Sequence, residues 1–359
     1  MATMRTLRVE EFKKPVIIRT VDIPEIGDDD ALVRVTASGI CRTDWHLWNG
    51  DWSWVGLKLP MPTTLGHEIG GVVEKVGSRV KGIPTGTRVT VPFNFACGHC
   101  PYCKIGSQNL CDEATWPFLE EGSGGWAEYV RVPNAMLNCI PLPDSVTELD
   151  AAALGCRYMT AYRAVAARGD VRGGQTVAVV GLGGVGLAAV EIATALGAQV
   201  IGIDRRPEQL KAAKALGAVA TINNEGLDPL QTADKVRAEN GGLGVHVSID
   251  AVGTNPVTLT ALESLRKGGR LTTVGLTSEE DHGQLTIPID RMVFNEWSLV
   301  GSLGNPQPAY ATLLSMIEAG RLNPSRHVSE QVALEDVQSV MDRMPKFETH
   351  GYVVITKFQ

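Results

Sequence analysis

The sequence predicts an α/β protein of two domains, a β-rich one and a doubly wound parallel sheet, and three observations carry that prediction. Its 359 residues are more than one hydrophobic core usually covers. Up to about residue 150 the chain consists of short β-branched runs broken by glycine and proline. From Ala151 onward, strand-like and helix-like segments alternate.

Along the chain, the runs 31–37, 70–76 and 87–91 read as strands between turns, the pattern of a barrel or sandwich. The spacing then predicts strands over 177–180, 200–203, 219–222, 245–251 and 270–274, with 298–301 a sixth. Helices are expected between them over 187–196, 207–216, 229–240 and 255–265. Such alternation gives a parallel sheet with right-handed crossovers. A further helix is expected over 306–320. The stretch 351–357 reads as a strand with no helix after it, so the C-terminal segment is expected to rejoin the first domain.

Composition excludes several classes. A 44% hydrophobic and 20% charged chain buries large cores, which rules out disorder, and seven cysteines are too few for a disulfide scaffold. The net charge of -7, from 33 basic and 40 acidic side chains, offers no footprint for nucleic acid. Residues 1–15 alternate charged and apolar side chains without an apolar core, so no secretory signal is read there and a cytoplasmic protein is expected. The stretch 177–203 has one charge, Glu191, over a length that could cross a bilayer. Its glycines instead divide it into strand, turn, helix and strand, so no membrane partner is expected.

Those glycines form the loop Gly181-Leu182-Gly183-Gly184-Val185-Gly186 between a predicted strand and a predicted helix, the context in which GxGxxG binds a dinucleotide. Glycine allows close backbone approach, and the helix N-terminus offers N–H groups to a pyrophosphate. Eighteen residues beyond Gly186, Asp204 ends the next strand, where a carboxylate accepts hydrogen bonds from the ribose 2′-hydroxyl and repels a 2′-phosphate. NAD is therefore expected over NADP. Arg205 and Arg206 pull the other way, because an arginine there can hold the extra phosphate. A methyltransferase also presents a glycine loop and an acid, so the loop alone leaves the chemistry open.

Cys97, Cys100, Cys103 and Cys111 fall within fifteen residues, the spacing of a closed tetrahedral zinc site with no position for substrate. The alternative, two disulfides, does not suit a reduced compartment. Cys41, Cys139 and Cys156 remain, with His67 the notable histidine. Taken singly, such residues are more often packing residues than ligands.

The segment GHEIGGVVEKVGSRV (66–80), the run CRTDWH (41–46), the loop CGHCPYCKIGSQNLC (97–111) and GLGGVG (181–186) together resemble the zinc-containing alcohol dehydrogenases of the medium-chain dehydrogenase/reductase superfamily. The likeness runs over essentially the whole chain. It implies a GroES-like catalytic domain over 1–156 and 300–359, and a Rossmann NAD-binding domain over 157–299. It also implies two zinc ions per chain, a structural one on the four-cysteine loop and a catalytic one on Cys41, His67 and Cys156. Three protein ligands leave the open position that a catalytic zinc needs. In the same resemblance Glu68 is a carboxylate able to approach the metal, and Asp44 orients the histidine ligand. Cys139 matches no ligand and is expected to be a small buried hydrophobe.

The resemblance implies a reaction in which an alcohol, ionised with the help of zinc, gives hydride to NAD. Its proton leaves through the Thr43 hydroxyl and the nicotinamide ribose to His46, while Arg42 and the glycine loop hold the pyrophosphate. Near the C-terminus many relatives place an arginine after a glycine to contact the same phosphates, whereas here Gly351 is followed by Tyr352. Trp45, Trp48, Trp54, Phe93 and Trp116 fall where the substrate pocket is expected, which points to a bulky apolar secondary, allylic or cyclic alcohol and its ketone or aldehyde. The alternatives are a hydroxyacyl-CoA, polyol or aldehyde dehydrogenase of the same superfamily, or an NAD-binding protein without turnover. Polyol relatives often use glutamate as third ligand, so Cys156 favours the alcohol branch, and a mere binder has no need of an open metal site. A homodimer or homotetramer is implied by the relatives, with pairing near 287–301.

Overall fold

The computed structural model describes residues 2–57, 59–119, 124–277 and 281–359, so Met1 lies outside them. The chain divides into two compact units, Met1–Met159 with Gly304–Gln359, and Thr160–Leu303.

The first unit begins with β1 (Thr3–Val9), β2 (Ile17–Asp22), β3 (Ala31–Ile40), β4 (Thr63–Thr64), β5 (Glu68–Val76), β6 (Arg88–Val91), β7 (Tyr129–Val132) and β8 (Ile140–Pro141). A small sheet has the order β2-β1-β4. The larger sheet is built on β3, whose first half pairs antiparallel with β7 and whose whole length pairs antiparallel with β5, ending at Gly39 opposite Glu68. Inward-facing Val33, Ile69, Val73, Val89 and Val91, with Trp126 and Phe95, form its core. β-Branched side chains pack well on a half-buried pleated surface, which is why these runs are strands.

The second unit carries β9 (Thr176–Val180), β10 (Gln199–Asp204), β11 (Ala220–Asn223), β12 (Val245–Asp250), β13 (Leu265–Thr273) and β14 (Ser298–Gly301). All pairs are parallel and the order is β11-β10-β9-β12-β13-β14. This is the doubly wound arrangement, in which a dinucleotide lies across the carboxyl ends of the first strands. Every residue of β9 is buried, so its unbroken apolar run reflects covering on both faces. The stretch 177–203 is thus strand, helix (Gly184–Ala195) and strand. Among the described residues no helix is long and apolar enough to cross a membrane.

The chain returns to the first unit through the helix Tyr310–Glu318 and two parallel strands, β15 (Val328–Ala333) and β16 (Tyr352–Lys357). β16 pairs antiparallel with the end of β3, Val353 opposite Ile40 and Val354 opposite Gly39. The C-terminal strand therefore braces the segment that runs directly into Cys41.

Candidate active site

Cys41 is the N-cap of the helix Arg42–Asn49, and Asp44 in its first turn reaches back into the protein. Asp44 is fully buried, and three donors compensate that burial. Its Oδ2 accepts the Cys41 N–H at 2.9 Å, and its Oδ1 accepts the Gly66 N–H at 3.1 Å and the His67 ring Nδ1 at 2.9 Å. A carboxylate acceptor at Nδ1 selects the tautomer with the proton there, which leaves the Nε2 lone pair for a metal. His67 Nε2 is buried and has no hydrogen-bond partner among the described residues, an expensive orphan unless a cation takes it.

The sulfurs of Cys41 and Cys156 meet that lone pair: the donor atoms of Cys41, His67 and Cys156 all lie within 4.8 Å of one another. A shared hydrogen bond between the thiols holds Cys41 well below the usual thiol range, against burial, with His67 adding to the shift. The same bond, helped by burial, pushes Cys156 up. Two soft sulfurs and one imidazole, with a carboxylate behind the imidazole, suit zinc and leave a fourth position for substrate.

Glu68, next after His67, is fully buried, and Arg157, next after Cys156, takes both of its oxygens. Burial pushes the Glu68 carboxyl up, against the pull of Arg157. Burial alone would lower the guanidinium, yet Glu68 outweighs it and holds Arg157 above its ordinary value.

On the other cysteine loop the four donor sulfurs also lie within 4.8 Å of each other. Cys97 Sγ and Cys103 Sγ are 4.0 Å apart, and Cys100 Sγ and Cys111 Sγ 3.8 Å. A tetrahedron with zinc–sulfur bonds of about 2.3 Å has edges of about 3.8 Å, whereas a disulfide needs about 2.0 Å. Backbone N–H groups of Cys97, Cys100 and Cys103 point at these sulfurs, 3.3–3.4 Å away, and stabilise thiolates. None of the seven cysteines is in a disulfide. Cys139 is buried in the core, and burial pushes its thiol up to about 12, as suits a residue that only packs.

In the second unit the glycine loop joins β9 to its helix. Gly181 has φ +88°, and a Cβ on Gly186 would stand 1.8 Å from the Gly181 carbonyl oxygen, so neither position tolerates a side chain. In front of Gly183, the N-cap, a Cβ would meet nothing within 4 Å, which leaves room for a phosphate group. Val185 follows half-buried in the first turn. Asp204 at the end of β10 binds the loop itself: Oδ2 accepts the Leu182 N–H at 2.8 Å and Oδ1 the Arg206 N–H at 2.9 Å. A carboxylate has further lone pairs for a ribose hydroxyl, so these bonds fix its aim.

Thr43 and His46 lie one turn apart on the helix Arg42–Asn49, both half-buried. His46 Nδ1 is 2.6 Å from Asp51 Oδ2, and its ring stacks on Trp52 and meets Trp45 edge-on. Arg42 is exposed, its guanidinium over the Trp45 and Phe347 rings and bonded to the Met344 carbonyl at 2.9 Å. Of the aromatic residues expected at the pocket, Trp45 and Trp116 are partly buried against the core. Trp54 and Phe93 are half-buried. Trp48 also packs against that core, and its indole N–H donates to the Lys14 carbonyl at 2.7 Å. Trp116 packs on Phe118, whose ring meets His67 edge-on at 6.0 Å.

Phe118, Asp51 and Arg157 were not found from the sequence. Only Arg157 leaves a trace there, as the one charge in the otherwise uncharged stretch 154–162.

Comparison with known proteins agrees with this geometry. Residues 27–144 match the family described as alcohol dehydrogenase GroES-like domain, and residues 184–319 the family described as zinc-binding dehydrogenase. The chain is 34% identical to an alcohol dehydrogenase of Geobacillus stearothermophilus over 98% of its length and 99% of the relative. It is 32% identical to an NAD-dependent alcohol dehydrogenase of Sulfurisphaera tokodaii, covering 98% of this chain and 99% of that one. Among solved structures, the alcohol dehydrogenase TADH from Thermus sp. ATN1 has a TM-score of 0.90 at 33% identity, over 99% of this chain and 100% of that chain. With the metal-binding triad, the four-sulfur cluster and the dinucleotide loop all in place, the chain belongs to the zinc-containing alcohol dehydrogenases of the medium-chain dehydrogenase/reductase superfamily, NAD-dependent enzymes with two zinc sites.

Proposed function

We propose that this enzyme oxidises a bulky apolar secondary, allylic or cyclic alcohol, with Cys41, His67 and Cys156 holding the catalytic zinc and Thr43 and His46 handling the proton. The observation that carries the reading is the unpartnered Nε2 of His67, aimed among two cysteine sulfurs with Asp44 fixing the ring behind it. When bound, zinc supplies a Lewis acid that stabilises negative charge on the alcohol oxygen, and NAD supplies the hydride acceptor.

The protein's own side chains do the rest. Thr43 accepts the proton from the alcohol oxygen through its hydroxyl, which both donates and accepts. His46 receives it in turn and releases it to solvent, its ring held by Asp51 Oδ2 at 2.6 Å from Nδ1. Asp204 accepts from the ribose hydroxyls and selects NAD, and Arg42 offers its positive charge to the pyrophosphate. Trp45, Trp54, Phe93 and Trp116, together with Phe118, exclude water and give the substrate an apolar wall. Apolar side chains exposed beside β14 support self-association as a homodimer or a homotetramer built from it, and reduced cysteine ligands suit a cytoplasmic location.

Thr43→Val, assayed over linear and cyclic alcohols, tests the reading. Turnover should fall roughly 10²-fold or more for every alcohol while two zincs per chain are retained. In the unaltered enzyme, kcat/KM should rank cyclohexanol or terpene alcohols above ethanol. Unchanged turnover would sink the proton route, and a preference for ethanol would sink the substrate class.

A further inference from the structure

Glu68 and Arg157 form a buried ion pair. Arg157 Nε donates to Glu68 Oε1 at 2.8 Å, Nη2 to Oε2 at 2.5 Å, and the Arg157 backbone N–H to Oε1 at 3.1 Å. Glu68 is fully buried and Arg157 8% exposed. The space around the carboxylate is fitted to it: a Cβ on Gly39, which faces Glu68 across β3 and β5, would stand 2.0 Å from Oε2. The Arg157 guanidinium lies over the Tyr352 ring, its Cζ 3.8 Å from the centroid, and Tyr352 is stacked on His327 at 5.4 Å.

A buried ion pair is weak evidence for stability, since an apolar pair of the same volume often does as well. Its position is more telling. Glu68 follows the ligand His67 in the chain and Arg157 follows the ligand Cys156, so the pair links the two ligand-bearing segments across 89 residues. A buried carboxylate stripped of its partner must find another cation or take up a proton. Glu68 and Arg157 each adjoin a residue of the triad in the chain, so a metal held there is a cation on offer. Tyr352 belongs to the same device: its aromatic ring carries the guanidinium.

Building on Cys41, His67 and Cys156 as the ligands of the catalytic metal, we propose that Arg157 is a positioning residue of the metal centre. Carried on the Tyr352 ring, its fork holds both oxygens of Glu68 and keeps that carboxylate off the metal, so the set of three protein ligands and one open position is preserved. Glu68 is then a held anion in this enzyme and not a passing ligand.

The test uses the full-length enzyme with cobalt(II) exchanged for the catalytic zinc and the structural zinc retained, because cobalt absorption reports coordination number. The unaltered enzyme should show thiolate-to-metal charge transfer and the strong visible bands of a four-coordinate site. In Arg157→Met those bands should weaken and shift as a carboxylate joins the metal, and adding Glu68→Gln to the same chain should restore them. Arg157→Lys, which keeps the charge and loses the fork, should show the same change with smaller amplitude and serves if Arg157→Met does not fold. Unaltered bands in Arg157→Met, or in Arg157→Lys where that is the variant obtained, overturn the proposal. So do altered bands that Glu68→Gln fails to restore. Cobalt uptake without thiolate charge transfer in the unaltered enzyme overturns the ligand assignment instead, before any variant is compared.

Discussion

Asp44 serves two neighbours with one carboxylate, closing the turn at Cys41 through a backbone N–H and fixing the ring of His67 through Nδ1. Both ligands therefore depend on a side chain that touches no metal. Replacing it should leave the helix in place but free the imidazole to rotate or change tautomer. Asp44→Asn is predicted to weaken zinc binding at the catalytic site by about 10–100-fold, the usual effect of losing such an orienting group. Dialysis against a chelator should then strip that site at concentrations that leave the four-cysteine zinc untouched, giving one zinc per chain where the unaltered enzyme keeps two. Equal retention by both proteins would show that Asp44 does not orient the ligand. Cys139 marks the contrast: its thiol is raised to about 12 by burial and packs in the core.

At the scale of elements, the helix Glu148–Leu154 delivers Cys156, and its start is fixed by a capping box. Thr147 Oγ1 accepts the Asp150 N–H at 3.1 Å, while Asp150 Oδ2 accepts the Thr147 N–H at 2.9 Å. Asp150 Oδ1 also accepts the Ser325 N–H at 2.8 Å, which ties in the C-terminal segment. Thr147→Ala should cost about 1 kcal/mol, the usual worth of an N-cap. Asp150→Ala removes the acceptor of three hydrogen bonds, from the Thr147 N–H, the Thr147 hydroxyl and the Ser325 N–H, and should cost about 2–3 kcal/mol. Thermal midpoints that fall equally for the two variants would refute the second role of Asp150. These elements were legible in the sequence to different degrees. The strands of the parallel sheet stand out because full burial makes them continuous apolar runs, as at Thr176–Val180. The helix after the glycine loop begins at Gly184, ahead of the predicted 187, because glycines carry no apolar periodicity. β13 begins at Leu265, ahead of the predicted 270, because Lys267-Gly268-Gly269 reads as a turn, whereas the chain makes an irregularity there between the paired Leu265 and Arg270. The four-cysteine cluster was legible from spacing alone, since all its ligands share one loop. Cys41, His67 and Cys156 were not, because three separate elements bring them together, and only the resemblance joined them. Arg157 and Phe118 escaped for the same reason: their meaning lies in partners distant in the chain.

For the whole molecule, the open question is what covers the edge of the parallel sheet in the second unit. β14 ends the strand order, and its residues are half-buried or exposed. An exposed strand edge is a template for pairing, and soluble proteins blunt or cover one. Here the surroundings are apolar: Leu299 in the strand is 37% exposed, and in the adjoining helix Ile289–Asn295 the exposures are 59% for Ile289, 69% for Val293 and 83% for Phe294. A second copy related by a twofold axis would pair β14 with itself, antiparallel, and bury these side chains against their own counterparts, as a self-complementary interface requires. The unaltered enzyme should therefore sediment at twice the chain mass of 38.5 kDa, or at four times it where dimers pair again. Phe294→Asp with Leu299→Lys places unpaired charges at the centre of that contact and should shift the protein to a single chain, with two zincs still bound. A variant that sediments like the unaltered enzyme would place the subunit contact elsewhere. An unaltered enzyme that is a single chain at micromolar concentration would remove the contact altogether, and the apolar edge would then need another cover.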